Sequence, residues 1–136
     1  MAAGLLACLV AGGAASSASP LDLSFGQSGV AQLPQNLSAP GIALDSQQRI
    51  VVVGEAPFCG GLTVNRLLAN GSPDTSFGTA GVVKLTFGFA CLFGTDVAIA
   101  PDGGIVIAAR GDQTPVIVRL NANGTPDTSF DGDGMV

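Results

Sequence analysis

The chain has 136 residues, room for one domain, and 47% of them are hydrophobic while only 11% are charged. This composition excludes an intrinsically disordered chain, which combines low hydrophobicity with high charge. Ten acidic residues against five basic ones give a net charge of −5, so the basic surface that a nucleic-acid partner requires is missing. His is absent, which excludes Ser-His-Asp catalysis and imidazole metal sites. Nothing in the composition indicates a cofactor.

Residues 1–19 have the pattern of an export signal. They carry no charged side chain, and an apolar core at residues 5–11 is followed by small residues up to Ser19. Such a pattern is typical of a secretory signal, and the core is too short to span a bilayer. We therefore predict a signal peptide at residues 1–19, no integral membrane span, and a secreted or cell-surface protein, with a periplasmic location also open. Cys8 ends a string that resembles a bacterial lipobox, which keeps a lipid anchor as an alternative.

The rest of the chain is a tandem repeat with a period of about 53 residues, the kind of signal that identifies repeat architectures. Residues 66–82 are identical to residues 119–135 at 11 of 17 positions. A partial copy precedes them, because residues 21–30 match residues 73–82. The chain from 20 to 136 therefore divides into a fourth-strand segment (20–33) and two repeat units (36–88 and 90–136).

Each unit is predicted to form four short antiparallel strands. Residues 50–53 and 105–109 are β-branched apolar runs, typical of strands buried on both faces. Turns are marked by Pro-Asp-Gly-Gly at 101–104 and by Asn123-Gly124, and no helical period follows the signal. Four strands per unit predict an all-β fold of β-propeller-like blades. About two blades are present, whereas a ring needs four to eight, so further repeats or copies of itself are the expected partners.

The repeated string resembles the delta-60 repeat of secreted and surface-associated bacterial proteins. The resemblance rests on the Asp-x-Ser-Phe core within residues 70–82 and 123–135 and on the Pro-Asp-Gly turn before residues 105–109. It covers residues 20–136 and implies a propeller-like fold, with no biochemical activity generally assigned. Two places depart from the pattern: residues 45–48 replace the Pro-Asp-Gly turn, and Asp131 stands where the previous copy has Gly78.

Two residue types recur at equivalent positions of all three copies. An active site needs one constellation, whereas a residue present in every unit usually serves the unit itself. We expect each aspartate to accept backbone N–H groups of the turn that follows it and each phenylalanine to pack between units. These structural residues are Asp22, Phe25, Asp74, Phe77, Asp127 and Phe130.

Removal of the signal leaves two cysteines, Cys59 and Cys91. In an oxidising compartment two remaining thiols pair or stay buried. Neither lies beside a C-x-x-C motif, a His or a basic cluster, so redox catalysis and metal binding have no support. A disulfide between them would join neighbouring blades.

Three further patterns each have a functional and a structural interpretation. Arg110-Gly111-Asp112 spells the integrin-binding tripeptide, but it lies outside the repeat and such a string is common by chance. Asp127, Asp131 and Asp133 resemble an acidic calcium loop without its full spacing; a solvated turn is the other interpretation. In the last pattern, four residues alternate along the chain: Phe87, Phe89, Cys91 and Phe93. In an extended segment their side chains would lie on one face. That face is interpreted as inter-blade core or as an apolar ligand patch.

These observations together favour an exported, non-catalytic repeat module with a structural or interaction role; the sequence names no specific ligand and no cell-surface partner. One alternative is a fragment of a secreted propeller enzyme acting on polysaccharide, which requires two carboxyl groups about 5–10 Å apart in one cleft. The carboxylates found in a single unit are Asp96, Asp112, Asp131 and Asp133. The other alternative is a lipid-anchored surface adhesin.

Overall fold

The computed structural model describes residues 21–33 and 37–136. The predicted signal peptide at 1–19, with Cys8, lies outside the described residues, as do the predicted unit boundaries at 20 and 36. Within the described ranges the regular structure is entirely β, as predicted, and forms two antiparallel sheets. The strands are β1 (Ser38–Leu44), β2 (Ile50–Glu55), β3 (Leu62–Leu67), β4 (Val82–Leu85), β5 (Leu92–Ile99), β6 (Ile105–Gly111) and β7 (Thr114–Leu120).

The first sheet, which we call the first blade, has the order β1-β2-β3-β4 and therefore contains the four predicted strands. The second blade has the order β5-β6-β7. Its fourth position is taken by residues 134–136: Ile117 N–H donates to Val136 O at 2.7 Å, and Val136 N–H donates to Ile117 O at 3.0 Å. The fourth strand predicted for this unit is thus present only as an isolated bridge between Val118 and Met135, because so few residues lie beside β7.

Each blade has a front face and a back face. In the first blade the front face carries Val51, Val53, Leu62 and Val64, all fully buried. These side chains pack in one cluster with the back face of the second blade. Because alternate side chains of a strand point to the same face, the back face of the second blade consists of Ile105, Ile107, Ala109, Val116, Val118 and Leu120. The core of the molecule therefore lies between the two blades, with β1 and β2 placed against β5.

Strand β2 is buried on both faces between its half-buried ends, as predicted. The same prediction for residues 105–109 is wrong. Ile105, Ile107 and Ala109 are buried, but Val106 and Ala108, which point to the front face, are half-buried. The physical reason is that, among the described residues, no second sheet packs against the front of the second blade.

The prediction of one extended segment from Phe87 to Phe93 is also wrong. Phe87 has a φ of +47°, and Phe89 N–H donates to Thr86 O at 2.9 Å, so a turn interrupts the alternation and only Phe93 belongs to β5. Phe87 and Phe89 nevertheless pack against the core. Phe93 lies beneath the Arg110 guanidinium, 5.1 Å from the ring centre. The four side chains consequently do not form one apolar face.

The turn at residues 45–48, which departs from the family pattern, keeps the geometry of its counterpart. Gln48 N–H donates to Asp45 O at 3.0 Å, as Gly103 N–H donates to Ala100 O at 2.9 Å. Gln48 adopts a φ of +60° where Gly103 has +83°, a conformation that is strained for a residue with a Cβ. The Asp45 carboxylate offsets this strain by accepting the N–H groups of Gln47 and Arg49. No helix within the described ranges has the length and apolarity that a membrane crossing demands.

Candidate functional site: the junction between repeat units

The recurrent aspartates form one hydrogen-bonded motif three times. In each copy the Oδ1 atom accepts the backbone N–H of the serine two residues later, at 3.0–3.1 Å, and also the hydroxyl of that serine, at 2.6 Å. This closes an Asx turn that leads into the recurrent phenylalanine. The pairs are Asp22–Ser24, Asp74–Ser76 and Asp127–Ser129.

In the first two copies of the motif the phenylalanine packs against the Asn-Gly turn of the next unit. Phe77 is completely buried, and a Cβ added at Gly124 would lie 2.8 Å from its ring. Gly78 N–H donates to Asn123 O at 3.3 Å across the same junction. Only glycine fits at position 124, because the residue there also has a φ of +93°.

The same contact between a phenylalanine and a turn glycine occurs between the N-terminal segment and the first blade. A Cβ added at Gly71 would lie 3.0 Å from the Phe25 ring, and Gly26 N–H donates to Asn70 O at 2.8 Å. Phe25 is half-buried. The repeat motif therefore joins units to one another and does not only shape a turn within each unit.

Arg66 completes the junction between the blades. Its side chain is buried, and its Nε donates to Asp74 Oδ2 at 2.8 Å. Its Nη1 donates to the backbone carbonyl of Ala122 in the next unit, and its guanidinium stacks 4.4 Å from the centre of the Phe77 ring. One cation thus links the Asx turn and the aromatic ring of its own unit to the backbone of the next. We call Arg66, Asp74 and Phe77 the junction cluster.

The electrostatics of the junction cluster follow from its burial. Burial raises the pKa of Asp74, but hydrogen bonds from Ser76 and the charge of Arg66 outweigh burial and hold that pKa below its ordinary value. Burial lowers the pKa of Arg66, and the positive charge of the nearby Arg49 lowers it further. The Arg49 Nη1 atom lies 3.6 Å from Asp74 Oδ2, so Asp74 is the carboxylate that both cations approach.

The second unit carries the same three residue types in a more exposed setting. Arg119 Nε donates to Asp127 Oδ2 at 2.7 Å, which raises the pKa of Arg119 together with the charge of Asp102. Its Nη2 pairs with Asp102, whose side chain is 62% exposed. Phe130 is half-buried. We call Arg119, Asp127 and Phe130 the open cluster.

The open cluster lies beside a shallow groove of about 150 Å³ on the second blade. Ile117, in the groove, is 38% exposed. By the repeat, Val106, Ala108 and Ile117 correspond to Val51, Val53 and Val64, the front-face residues that are fully buried in the first blade. Other residues lining the groove are Asp96, Val97 and Ala98.

Cys59 and Cys91 form a disulfide in the structure, with their Cα atoms 4.6 Å apart. The bond joins the loop between β2 and β3 to the segment that enters β5. It therefore links the two blades at the end of the sheets opposite the junction cluster. From the sequence the two thiols could pair or be buried separately, and in the structure they are paired.

The Arg-Gly-Asp tripeptide lies at the hairpin between β6 and β7. The Asp112 carboxylate accepts the N–H groups of Ala90 and Cys91, at 3.0 and 2.8 Å, and Asp112 N–H donates to Cys91 O at 3.1 Å. Arg110 stacks over Phe93. Both charged side chains thus have local partners, and Asp112 holds the backbone next to the disulfide.

Two of the three acidic residues after β7, Asp127 and Asp133, are engaged with nearby backbone and side chains. Asp133 Oδ1 accepts the N–H of Met135 at 2.9 Å, and Asp127 binds Ser129 and Arg119. Within the described residues, no group of three or more His, Cys, Asp or Glu side chains is placed to hold a metal ion. A cavity of about 320 Å³ beside Ser24 and Asn70 has no titratable residue in its lining.

Sequence reasoning missed the two arginines and the two glycines of the junction. Their signal was present, because Arg66 and Arg119 each stand eight residues before the recurrent aspartate, and Gly71 and Gly124 are identical in the two copies. What the pattern did not reveal is that the partner of Arg66 is a carbonyl 56 residues away in the next unit.

Residues 100–130 match the family model described as "Domain of unknown function (DUF5122) beta-propeller". No curated protein matches the chain, and no solved structure matches it. The matched residues include β6, β7 and the Asn-Gly turn that receives Phe77. The match and the two antiparallel sheets support a β-propeller repeat family for this chain.

Proposed function

We propose that this chain is an exported, non-catalytic repeat module of the delta-60 type, with a structural or interaction role. The observation that carries the proposal is the repetition of the junction. The residues that bind the first blade to the second recur in the open cluster and the groove beside it, where they are less buried. A surface of this kind serves contact with another protein unit.

Export is supported by the sequence pattern of residues 1–19 and by the disulfide between the blades. Disulfides persist in secreted and cell-surface proteins and are rare in reducing compartments. The chain would therefore act outside the cytoplasm, secreted or at the cell surface, where reduction does not undo the link.

A non-catalytic role is supported by the placement of the carboxylates. Asp112 precedes β7 and Asp131 and Asp133 follow it, so the seven residues of this strand separate them by about 20 Å. Asp96 accepts the N–H of its neighbour Val97 at 2.8 Å. Hydrolysis of a glycosidic bond needs two carboxyl groups about 5–10 Å apart across one cleft. Asp102 and Asp127 approach each other, but both are held in ion pairs by Arg119, and the recurrent aspartates are occupied in their Asx turns.

The test is expression of the full sequence in a bacterial host, followed by mass spectrometry of protein recovered outside the cytoplasm. The expected product begins near residue 20, contains one disulfide, and carries no lipid. A matched Cys8→Ser variant should be exported equally, because the proposal gives Cys8 no anchoring role. Recovery of a reduced protein that starts at Met1 would overturn export, and loss of surface attachment in Cys8→Ser would favour the lipid-anchored alternative.

A further inference from the structure

The loop between β2 and β3 has no counterpart in the second blade. It contains six residues (56–61), whereas only Asp112 and Gln113 separate β6 from β7. Its Phe58 side chain is completely exposed, the most exposed of the large hydrophobic side chains in the described ranges. We call residues 56–61 the Phe58 loop. Because a blade of this repeat forms without such a loop, its exposed ring needs a separate explanation.

The Phe58 loop is held in one strained conformation. Phe58 and Cys59 have φ angles of +59° and +57°, which cost energy for residues with a Cβ. The disulfide of Cys59 holds the loop from one side. Two backbone hydrogen bonds close it, since Gly60 N–H donates to Ala56 O and Ala56 N–H donates to Gly61 O, both at 3.2 Å. Strained backbone is concentrated at binding sites, and a ring fixed in advance loses little conformational entropy when it binds.

The surface around the Phe58 loop is uncharged. The disulfide joins the loop to residues 86–91, and neither segment contains Asp, Glu, Lys or Arg. The exposed residues of the two segments include Pro57, Phe58, Gly60, Gly88 and Ala90. We call residues 56–61 and 86–91 together the Phe58 end of the blades.

The charges of the chain are divided unequally between the two ends of the blades. Of the ten acidic side chains, all but Glu55, Asp96 and Asp112 lie at the end that holds the junction cluster, together with the three arginines that form ion pairs. The other two cations, Lys84 and Arg110, stand one residue before the ends of β4 and β6, next to the Phe58 end. Both are exposed and form no ion pair within the described ranges. Glu55 and Asp112 balance them, so the Phe58 end is neutral whereas the opposite end is acidic.

Going beyond the proposed function, we propose that the Phe58 end binds the surface of a lipid bilayer, with the Phe58 ring inserted at the boundary between headgroups and acyl chains. Aromatic rings are favoured at this boundary, and the Phe58 loop has no charged group whose hydration would be lost on insertion. A bilayer that contains anionic lipids repels the acidic end and attracts the two exposed cations. The charge distribution therefore fixes which end faces the lipid.

The composition of the Phe58 loop favours lipid over a protein partner. A protein interface surrounds its aromatic anchors with a rim of polar contacts. The loop, Ala-Pro-Phe-Cys-Gly-Gly, has no hydrogen-bonding side chain for such a rim, because its cysteine is in the disulfide. A bilayer accepts the ring without a complementary pocket or polar side chains.

The experiment measures sedimentation of the oxidised chain with vesicles made of equal parts of phosphatidylcholine and phosphatidylglycerol. Phe58→Ser should lower the vesicle partition coefficient about tenfold or more, because a phenylalanine side chain is no longer transferred out of water. Its Tm should not change, since Phe58 is completely exposed. Leu23→Ser is the matched control, because Leu23 is 63% exposed at the acidic end, and its partition should equal that of the wild type. Equal partition of Phe58→Ser and the wild type would overturn the proposal, as would a wild-type chain that does not sediment with the vesicles.

Phe58→Trp reports where the ring lies. The chain has no Trp and no Tyr, so the new indole is the only fluorophore of its kind. With vesicles its emission should shift to the blue and should be quenched by lipids brominated on their acyl chains, because the ring leaves water. Leu23→Trp should show neither change. Emission of a water-exposed indole from the Phe58→Trp chain in the presence of vesicles would contradict insertion.

Lys84→Gln tests the electrostatic part of the proposal. Partition into the mixed vesicles should fall about fivefold, the contribution of one cation near an anionic surface. Partition into vesicles of phosphatidylcholine alone should stay the same. Unchanged partition into the mixed vesicles would contradict the proposed orientation.

A second copy of the chain is the other possible occupant of the Phe58 end. If the wild-type chain forms dimers without vesicles and Phe58→Ser dissolves them, a second copy covers the loop and the proposal is wrong. Residues 1–19 are the same in every variant, so lipid binding by an uncleaved signal cancels in these comparisons. Failure of export is therefore distinguishable from failure of lipid binding.

Discussion

The junction cluster and the open cluster consist of the same residue types in the same positions of the repeat, yet their environments differ. Arg66 is 3% exposed and stacks on a fully buried Phe77, whereas Arg119 pairs with an exposed Asp102 and Phe130 is only half-buried. Sequence identity within the repeat therefore determines the local turn but not the burial. Burial is conferred by the unit that follows, because the Ala122 carbonyl and Gly124 belong to that unit.

The largest effect should come from Arg66→Ala. The substitution removes the hydrogen-bonded cation of the buried Asp74 and leaves only the more distant Arg49, 3.6 Å away; breaking a buried ion pair in this way costs about 3–5 kcal/mol of unfolding free energy. Arg119→Ala is the matched control and should cost only a small fraction of that, because Arg119 is half-buried and its partner Asp102 is exposed, so that water screens the pair. Chemical denaturation of both variants measures the difference, and equal losses would refute the comparison.

Loss of the disulfide should be next in size. Cys59 and Cys91 are 32 residues apart in sequence, and opening a loop of that length costs about 3.7 kcal/mol in the chain-entropy description. Cys59→Ser should lower the unfolding free energy by this amount, and reduction of the wild-type chain by dithiothreitol should have the same effect. A reduced protein as stable as the oxidised one would show that the bond does not hold the blades together.

Gly124→Ala tests the contact between Gly124 and the Phe77 ring, with Gly132→Ala as its control. The two glycines have nearly the same φ, +93° and +91°, so the backbone strain of the substitution is shared. A Cβ at Gly132 meets nothing within 4 Å, whereas one at Gly124 would lie 2.6 Å from Val83 and 2.8 Å from Phe77. We expect about 1 kcal/mol of destabilisation at Gly132 and about 2 kcal/mol more at Gly124. Thermal denaturation measures both, and similar losses at the two positions would argue against a tight junction.

The smallest effect concerns acid stability. The pKa of Asp74 is below its ordinary value in the folded chain, since hydrogen bonds from Ser76 and the charge of Arg66 outweigh burial. A lowered folded-state pKa contributes stability above the unfolded-state pKa, about 3.9, and this contribution is lost as pH falls through the folded-state value. Asp74→Asn should therefore make the decline of Tm between pH 5 and pH 2 shallower than in the wild type.

Asp22→Asn is the control for the acid measurement. The pKa of Asp22 is also lowered, by hydrogen bonds from Ser24, but Asp22 is exposed and has no arginine partner in the structure as described. Its substitution should change the acid limb less than Asp74→Asn does. The reverse order would place the acid-sensitive contacts outside the junction cluster.

The repeat period and the turn residues were sufficient to predict the blades and the Asx turns. Both depend on contacts within a few residues, such as the bond between Asp74 and Ser76. Burial was predicted less well. Residues 105–109 have the composition of a doubly buried strand, but their front face is uncovered because burial depends on what packs against the sheet.

Two further outcomes depended on three-dimensional packing. The alternation from Phe87 to Phe93 suggested a strand, but a turn at Phe87 allows Phe89 to pack against Gly111, where an added Cβ would lie 2.5 Å from the ring. The role of Arg66 was not visible in the sequence because its carbonyl partner comes near only when two units stack. Local motifs are thus readable from one unit, whereas contacts between units require the arrangement of both.

The central claim is that the recurrent residues stabilise the protein through the following unit. The most direct measurement is the change in unfolding free energy caused by Phe130→Ala, determined in the chain as it stands and in the chain extended by a second copy of residues 84–136. The account predicts a small change in the first and about 3–5 kcal/mol in the second, the cost of truncating a fully buried phenylalanine. The same small change in both chains would contradict it.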